Sequence, residues 1–401
     1  MKRIINIQKI IFLLIILLLA TTACSFILPP ETKEQAERRL YSFKELQRLE
    51  SQEKPIFYDI RTERPDSEEW TTVRNIFVFA MFYDGTQKDL FSVTVNGWFD
   101  NINLYEDETY LYLYRDGAYF PELEKTDFTE DSISYFYRGD SAPFIFQYEK
   151  STGKVSEKEI KDGRSKVILD MFTYDNDLVY LLEKRTSKPF FIIYNSWASS
   201  VGFLEKSDPK QFNFEVVGMS ILNVKGCLVG DDYYFPALTG IYKINLQTNE
   251  VTLCVEKDYR KYNFAQIINR NGSFILIEQK ILSEIEYSSE YLVECRMLEY
   301  SPDFQQVIKD EVINANIDDT VIGTNGIMLC QYSYNYGKTT STSIESVYCR
   351  FSDFSYEEIS GYSGVNLETL NWHFISDTGE FLLVSNEENG NSCEIVLSYK
   401  E

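Results

Sequence analysis

The sequence predicts an all-β chain built as a β-propeller of about seven four-stranded blades, and three observations predict it. Tyr and Phe number 29 and 28 among 401 residues, aromatics reach 15%, and Pro is only 10; such enrichment fits pleated strands. From Pro55 onward, short apolar-aromatic runs alternate with Asp, Asn and Gly, without a sustained helical period. Finally, Phe144–Val155 and Ile241–Val251 share one strand–turn–strand pattern. Their turns, Thr152-Gly153 and Thr248-Asn249, lie two units of about 48 residues apart, and a unit of that size with four strands is a propeller blade. Six blades, or a pair of β-sandwiches, are the alternatives.

The first segment, residues 1–23, is of another kind. Lys2, Arg3 and Lys9 precede an uninterrupted apolar run from Ile10 to Ala20. That run is too short to span a bilayer, which takes about 20 residues, and fits the core of a signal peptide. Thr21-Thr22-Ala23-Cys24 follows. Small residues before a Cys resemble the lipobox of bacterial lipoproteins, with Thr21 standing where Leu is usual. The resemblance implies cleavage before Cys24 and acyl chains on its thiol. The protein would then be anchored to a membrane without crossing it, because each buried CH₂ contributes about 0.8 kcal/mol. It implies a place in the bacterial cell envelope, at the outer membrane where there are two.

Residues 24–54 form the expected spacer. Glu31–Ser51 is rich in helix formers, and Leu40, Phe43, Leu46 and Leu49 give one apolar stripe. A short amphipathic helix ending before Pro55 is predicted. Residues 55–401 make up the propeller-like domain.

Six hairpins stand out within it. They are Asn101–Tyr105 with Tyr110–Tyr114, Val167–Tyr174 with Leu178–Leu182, Val224–Val229 with Tyr233–Phe235, Phe264–Ile268 with Phe274–Ile277, Thr320–Ile322 with Ile327–Cys330, and Trp372–Ile375 with Phe381–Val384. Asn, Asp and Gly at their turns accept positive φ at little cost. The last unit, Leu370–Tyr399, has room for three strands, so Ile56–Ile60 or Ile76–Phe82 is expected to complete it and remove a free edge. The chain resembles bacterial β-propeller lipoproteins in general, without a Trp-Asp repeat or a kelch glycine pair.

Charge and residue types narrow the chemistry. With 39 Lys+Arg against 62 Asp+Glu the net charge is −23, and loss of the three bases of residues 1–23 would take it to −26. Such a chain repels nucleic acid. His373 is the sole histidine, so multi-His metal sites are impossible, and its alternating run Asn371–Ile375 reads as a packed strand. Six cysteines besides Cys24 are scattered without a C-x-x-C pair. Cys330 and Cys349 flank a polar stretch and would face each other across a hairpin, which makes them the candidate disulfide.

Carboxylates cluster at Glu106-Asp107-Glu108, Asp175 with Asp177, Asp231-Asp232 and Asp318-Asp319, where they suit turn chemistry. Trp70, Trp98, Trp197, Trp372 and the run Tyr332, Tyr334, Tyr336 are the candidate sugar platforms, set against aromatic packing between sheets. No nucleotide-binding, esterase or metalloprotease motif is present, and no cofactor or metal is expected. The resulting expectation is a membrane-anchored binding or scaffolding module for a protein or polysaccharide partner, with no catalytic residues assigned. The alternatives are a carbohydrate-active enzyme using paired Asp/Glu and an assembly factor for outer-membrane proteins.

Overall fold

The computed structural model describes residues 54–63, 73–82, 86–96, 102–115, 135–138, 144–160, 166–184, 202–205, 210–212, 225–237, 239–259, 262–284, 291–333, 343–363, 370–375, 379–385 and 392–398. The signal segment, Cys24 and the amphipathic stretch fall outside these residues.

The described residues form strands. β1 (Phe57–Glu63), β2 (Val73–Met81) and β3 (Gln87–Asn96) open the first sheet, and β4 (Ile102–Glu106) and β5 (Tyr110–Arg115) begin the second. The chain then returns to the first sheet with β6 (Tyr135–Arg138), which lies parallel to β3. β7 (Phe144–Glu149) and β8 (Val155–Lys158) complete the second sheet. The third sheet holds β9 (Lys166–Tyr174), β10 (Asp177–Lys184), β11 (Gly202–Glu205) and β12 (Lys210–Phe212). The fourth holds β13 (Cys227–Val229), β14 (Asp232–Ala237), β15 (Gly240–Asn245) and β16 (Val251–Glu256). β17 (Tyr262–Arg270), β18 (Ser273–Glu284), β19 (Tyr291–Tyr300) and β20 (Val307–Ile313) make the fifth. β21 (Asp319–Ile322), β22 (Gly326–Ser333), β23 (Ser343–Arg350) and β24 (Tyr356–Ser363) make the sixth, and β25 (Leu370–Ile375), β26 (Glu380–Ser385) and β27 (Ser392–Ser398) the seventh.

The second to sixth sheets are regular four-stranded antiparallel blades. Complete blades therefore number five among the described residues, not about seven: the first sheet takes its fourth strand in parallel, and the seventh has three strands. All six predicted hairpins are present, as the first pair of strands in the second to seventh sheets.

The first strands of successive sheets meet one another, which makes the assembly a propeller and not a pair of sandwiches. β1 lies beside β4, β13 beside β17, and β21 beside β25. Tyr105 of β4 bonds Thr173 of β9, Asp170 of β9 accepts from Gly226 just before β13, and Thr320 of β21 donates to Gln266 of β17. The last sheet meets the first through side chains: the Phe57 and His373 rings stack at 3.8 Å, and His373 Nε2 lies 3.1 Å from Asp59 Oδ2. No β1 or β2 strand joins the last sheet, contrary to expectation, since both are paired within the first.

Local sequence explains the turns. Asp175 and Asn176 at φ 50° and 63°, and Asn271 and Gly272 at 51° and 91°, make the positive-φ pairs that two-residue hairpins require. The repeat seen in sequence is a shared third turn. Gly153 and Asn249 both hold positive φ and donate N–H to Glu149 and Asn245, while Thr152 and Thr248 bond the side chains of those same residues. The sixth sheet makes the same turn with Phe354, at φ 63°, donating to Arg350.

Core clusters lie between neighbouring sheets. Phe91, Val93, Leu113 and Phe146 join the first and second; Tyr112, Ile145, Met171 and Leu182 join the second and third. Val179, Phe235, Ile267 and Leu276 run through the third, fourth and fifth. Ile277, Met297, Leu329 and Phe354 join the fifth and sixth, and Met328, Tyr348, Trp372 and Phe381 the sixth and seventh. Both faces of a blade are thus buried, so its strands read as apolar runs more than strict alternation.

Candidate functional site

The structure assigns several of the residues picked out in sequence to holding strands and sheets together. Asp107 caps its turn by accepting from the N–H groups of Thr109 and Tyr110 at 2.8 and 2.6 Å, and its other oxygen accepts from Thr173 Oγ1 at 3.0 Å. Tyr174, the next residue, donates to Asp231 at 2.7 Å. Two neighbouring residues of the third sheet therefore clamp the turn acids of the second and the fourth. Asp232 holds Lys243 and Asn245, and Asp319 lies 3.5 Å from Lys225. Among the described residues no group of three or more His, Cys, Asp or Glu could hold a metal ion.

The aromatic and cysteine expectations resolve in the same direction. Trp372 is buried, and its indole N–H donates to Ser346 Oγ at 2.8 Å; Trp70, Trp98, Trp197, Tyr334 and Tyr336 lie outside the described residues. Cys330 and Cys349 do not pair. Both are free thiols; Cys330 is opposite Ser346 and Cys349 opposite Ile327, three positions further along each strand. Side chains alternate in a strand, so Cys330 points into the contact with the seventh sheet and Cys349 into that with the fifth. Burial raises the Cys349 thiol to about 12 and puts Cys330 well above its ordinary value, which suppresses the reactive thiolate.

Two acids, half-buried Asp170 and buried Glu278, anchor the fourth sheet. Asp170 accepts from Tyr233 Oη at 2.6 Å and from the Gly226 N–H at 2.7 Å. A Cβ at Gly226 would stand 2.4 Å from Tyr234 O and 2.5 Å from the Tyr233 ring, so only glycine lets the backbone approach. Burial drives the Asp170 carboxyl above its usual range, against the lowering effect of these hydrogen bonds. Glu278, 1% exposed, pairs with Lys257 at 2.7 Å beside the buried Tyr259.

A cleft of about 750 Å³ opens between the fifth and sixth sheets. One end of this contact is sealed: Phe351 and Phe354 are buried in it, Lys309 bonds Ser352 O, and Arg270 stacks over Phe351. At the other end, Val312 and Ile313 of β20 and Tyr356 and Glu358 of β24 line opposite sides, with Leu329 and Val347 between them. Asn314 and Asn316, in the connection from β20 to β21, add amides. Leu282, Val312 and Tyr356 are exposed at 47, 54 and 42%. Among the described residues the lining carries the carboxylates Glu294 and Glu358, and Glu294 stands opposite Lys280 of β18. The volume, with a lining that mixes polar and apolar groups, is that of a ligand site.

Sequence reading assigned no residue of this cleft to a site, and saw Leu329 only as part of the Ile327–Cys330 strand. A signal was there: Val312-Ile313 breaks the period-2 pattern, so one of two adjacent apolar side chains must face outward. Ile313 is 2% exposed and Val312 54%.

No protein-family model matches the chain, and no curated protein does. Solved structures with overall likeness include an ulvan lyase of polysaccharide lyase family 25, at 8% identity and a TM-score of 0.45, covering 84% of this chain and 91% of that one. The AfRom2 CNH domain matches at 10% identity and a TM-score of 0.41, covering 86% of this chain and 95% of that one. AztD from Citrobacter koseri matches at 10% identity and a TM-score of 0.35, covering 76% and 86%. Likeness at this level says nothing of function, and the propeller rests on the sheet order and the contacts between first strands.

Proposed function

We propose that this chain is an envelope lipoprotein, acylated on Cys24, whose propeller is a binding module for a protein or polysaccharide partner, with the cleft between the fifth and sixth sheets as its site. The cleft is the observation that carries the binding reading: polar groups and the partly exposed Leu282, Val312 and Tyr356 surround a volume large enough for a ligand. The tether is supported by the basic start, the short apolar run and Thr22-Ala23-Cys24. The enzyme alternative loses its motive at the turn acids, because Asp107, Asp231 and Asp232 are held by neighbouring side chains.

Two measurements test the two halves. Intact mass of the membrane-extracted protein is expected to equal residues 24–401 plus acyl chains and to lose the lipid in Cys24→Ser. A wild-type mass without lipid overturns the tether. Binding of a peptide or oligosaccharide probe is expected to weaken in a Val312→Asn/Glu358→Gln double variant. Equal weakening in Leu253→Asn/Glu256→Gln, on the outer strand of the fourth sheet, overturns the site.

A further inference from the structure

The outer strand of the fifth sheet is an exposed edge. Among the described residues β20 pairs only with β19, so one row of its main-chain N–H and C=O groups faces outward. Val307, Ile308 and Val312 are exposed at 49, 54 and 54%. β16 and β24, the outer strands of the sheets on either side, carry one exposed large apolar side chain each, Leu253 and Tyr356. In β20 two apolar ends flank a charged middle, Lys309-Asp310-Glu311. Charges of this kind keep arbitrary strands from adding to an edge.

The order of these residues is self-complementary. Val307-Ile308-Lys309 and Glu311-Val312-Ile313 run outward from Asp310 with apolar residues at matching distances and a base on one side where the other has an acid. Two β20 strands laid antiparallel and centred on Asp310 set Lys309 opposite Glu311, Ile308 opposite Val312 and Val307 opposite Ile313, each twice. Opposite residues share a face and interact. Sliding the pair by one residue sets Ile308 against Glu311 and loses the match. Lys309 Nζ already bonds Ser352 O and lies 3.8 Å from Glu299; an ammonium has three donors, so it can also meet a carboxylate from a facing strand. Glu311 is exposed. At the centre two Asp310 carboxylates would face each other, which alone is unfavourable. Each is held by Arg296 of its own chain, so the groups that meet there are two ion pairs.

We propose that β20 is an interface between two copies of this chain, added edge to edge and antiparallel about a two-fold axis at Asp310, so that two fifth sheets become one continuous sheet. The contact is isologous, so it closes at two copies and builds no fibre. About seven residues a side, against the roughly 20–30 of a standard interface, make it reversible and dependent on concentration. It goes beyond the binding reading and needs neither the ligand of the cleft nor the lipid.

Sedimentation velocity of the purified full chain in detergent, over a concentration series, reads the monomer–dimer equilibrium. The dimer fraction should grow with concentration. Ile308→Asn, and separately Glu311→Lys, which sets like charges opposite each other, should each raise the dissociation constant about tenfold or more, because each substitution acts twice across the axis. Leu253→Asn on β16 should change it less than about twofold. Register is read by copper-catalysed oxidation of two further variants on a non-reducing gel. Asp310→Cys should give a dimer band above the wild-type background, since its thiols face each other across the axis. Val307→Cys, opposite Ile313, should not. A chain that stays monomeric throughout overturns the proposal. A dimer insensitive to both β20 substitutions, as two copies sharing a micelle would be, also overturns it, as does equal cross-linking at the two positions.

Discussion

Replacing Phe354 by alanine and, separately, by glycine separates two opposing contributions at one turn. Phe354 holds φ 63°, is 2% exposed, and packs in the cluster between the fifth and sixth sheets with Lys309 Nζ 4.9 Å above its ring. A left-handed backbone costs a non-glycine residue about 1–2 kcal/mol, while truncating a buried Phe costs about 3–5 kcal/mol. Both variants lose the ring. Only glycine also relieves the backbone, whereas alanine keeps the Cβ clash. The glycine variant should therefore be the more stable of the two by about 1 kcal/mol, less the entropy its unfolded chain gains. Phe264 provides the control, being 1% exposed in β17 and absent from the positive-φ residues. There the order should reverse, with glycine worse by about 0.5–1 kcal/mol. Equilibrium urea unfolding of all four variants reads both differences. If alanine is the better replacement at both positions by a similar margin, the strain assigned to Phe354 is wrong, and so is the claim that burial holds it there.

Three further outcomes follow from the same contacts. Burial raises the Asp170 carboxyl, so its contribution to stability is full below the unfolded pKa and is lost as pH rises through the folded one; Asp170→Asn should flatten the fall in Tm above the usual carboxylate range, and an unchanged slope refutes this. Native alkylation at pH 8 should spare the buried Cys295, Cys330 and Cys349, and denaturation without reductant should expose all three; a Cys330–Cys349 disulfide peptide would contradict the register. Thr173→Val removes the hydroxyl that joins Asp107 and Tyr105 and should cost about 1–3 kcal/mol in urea unfolding, since a partner is left unsatisfied; no measurable change would mean the clamp between the second and third sheets is idle.

What the sequence determined by itself is what contiguous residues decide. Asn271-Gly272 and Asp175-Asn176 accept positive φ, and the hairpins form where they stand. Thr152-Gly153 and Thr248-Asn249 marked the same turn in two sheets because a side chain three residues away is enough to define it. The all-β class and all six hairpins were legible on these grounds. The turn in the sixth sheet was not, because Phe354 carries no turn preference and packs at positive φ into a core shared between the fifth and sixth sheets. The crossing of β6 to pair in parallel with β3 was also hidden, since nothing near Tyr135 names a partner at Ser92.

The tertiary structure alone decided which surfaces meet. Cys330 and Cys349 sit on adjacent strands, yet register sends them to opposite faces. Phe57 and His373 lie at opposite ends of the domain and close the seam by stacking, where an added strand was expected. Two of the turn acids that could have served chemistry, Asp107 and Asp231, are occupied by Thr173 and Tyr174 of a neighbouring sheet. The cleft exists because the fifth and sixth sheets pack tightly around Phe351 and Phe354 at one end and part at the other. Backbone preference is local and can be read one segment at a time. The gap between two blades depends on side chains brought together from distant segments, and it is fixed only once every sheet is in place.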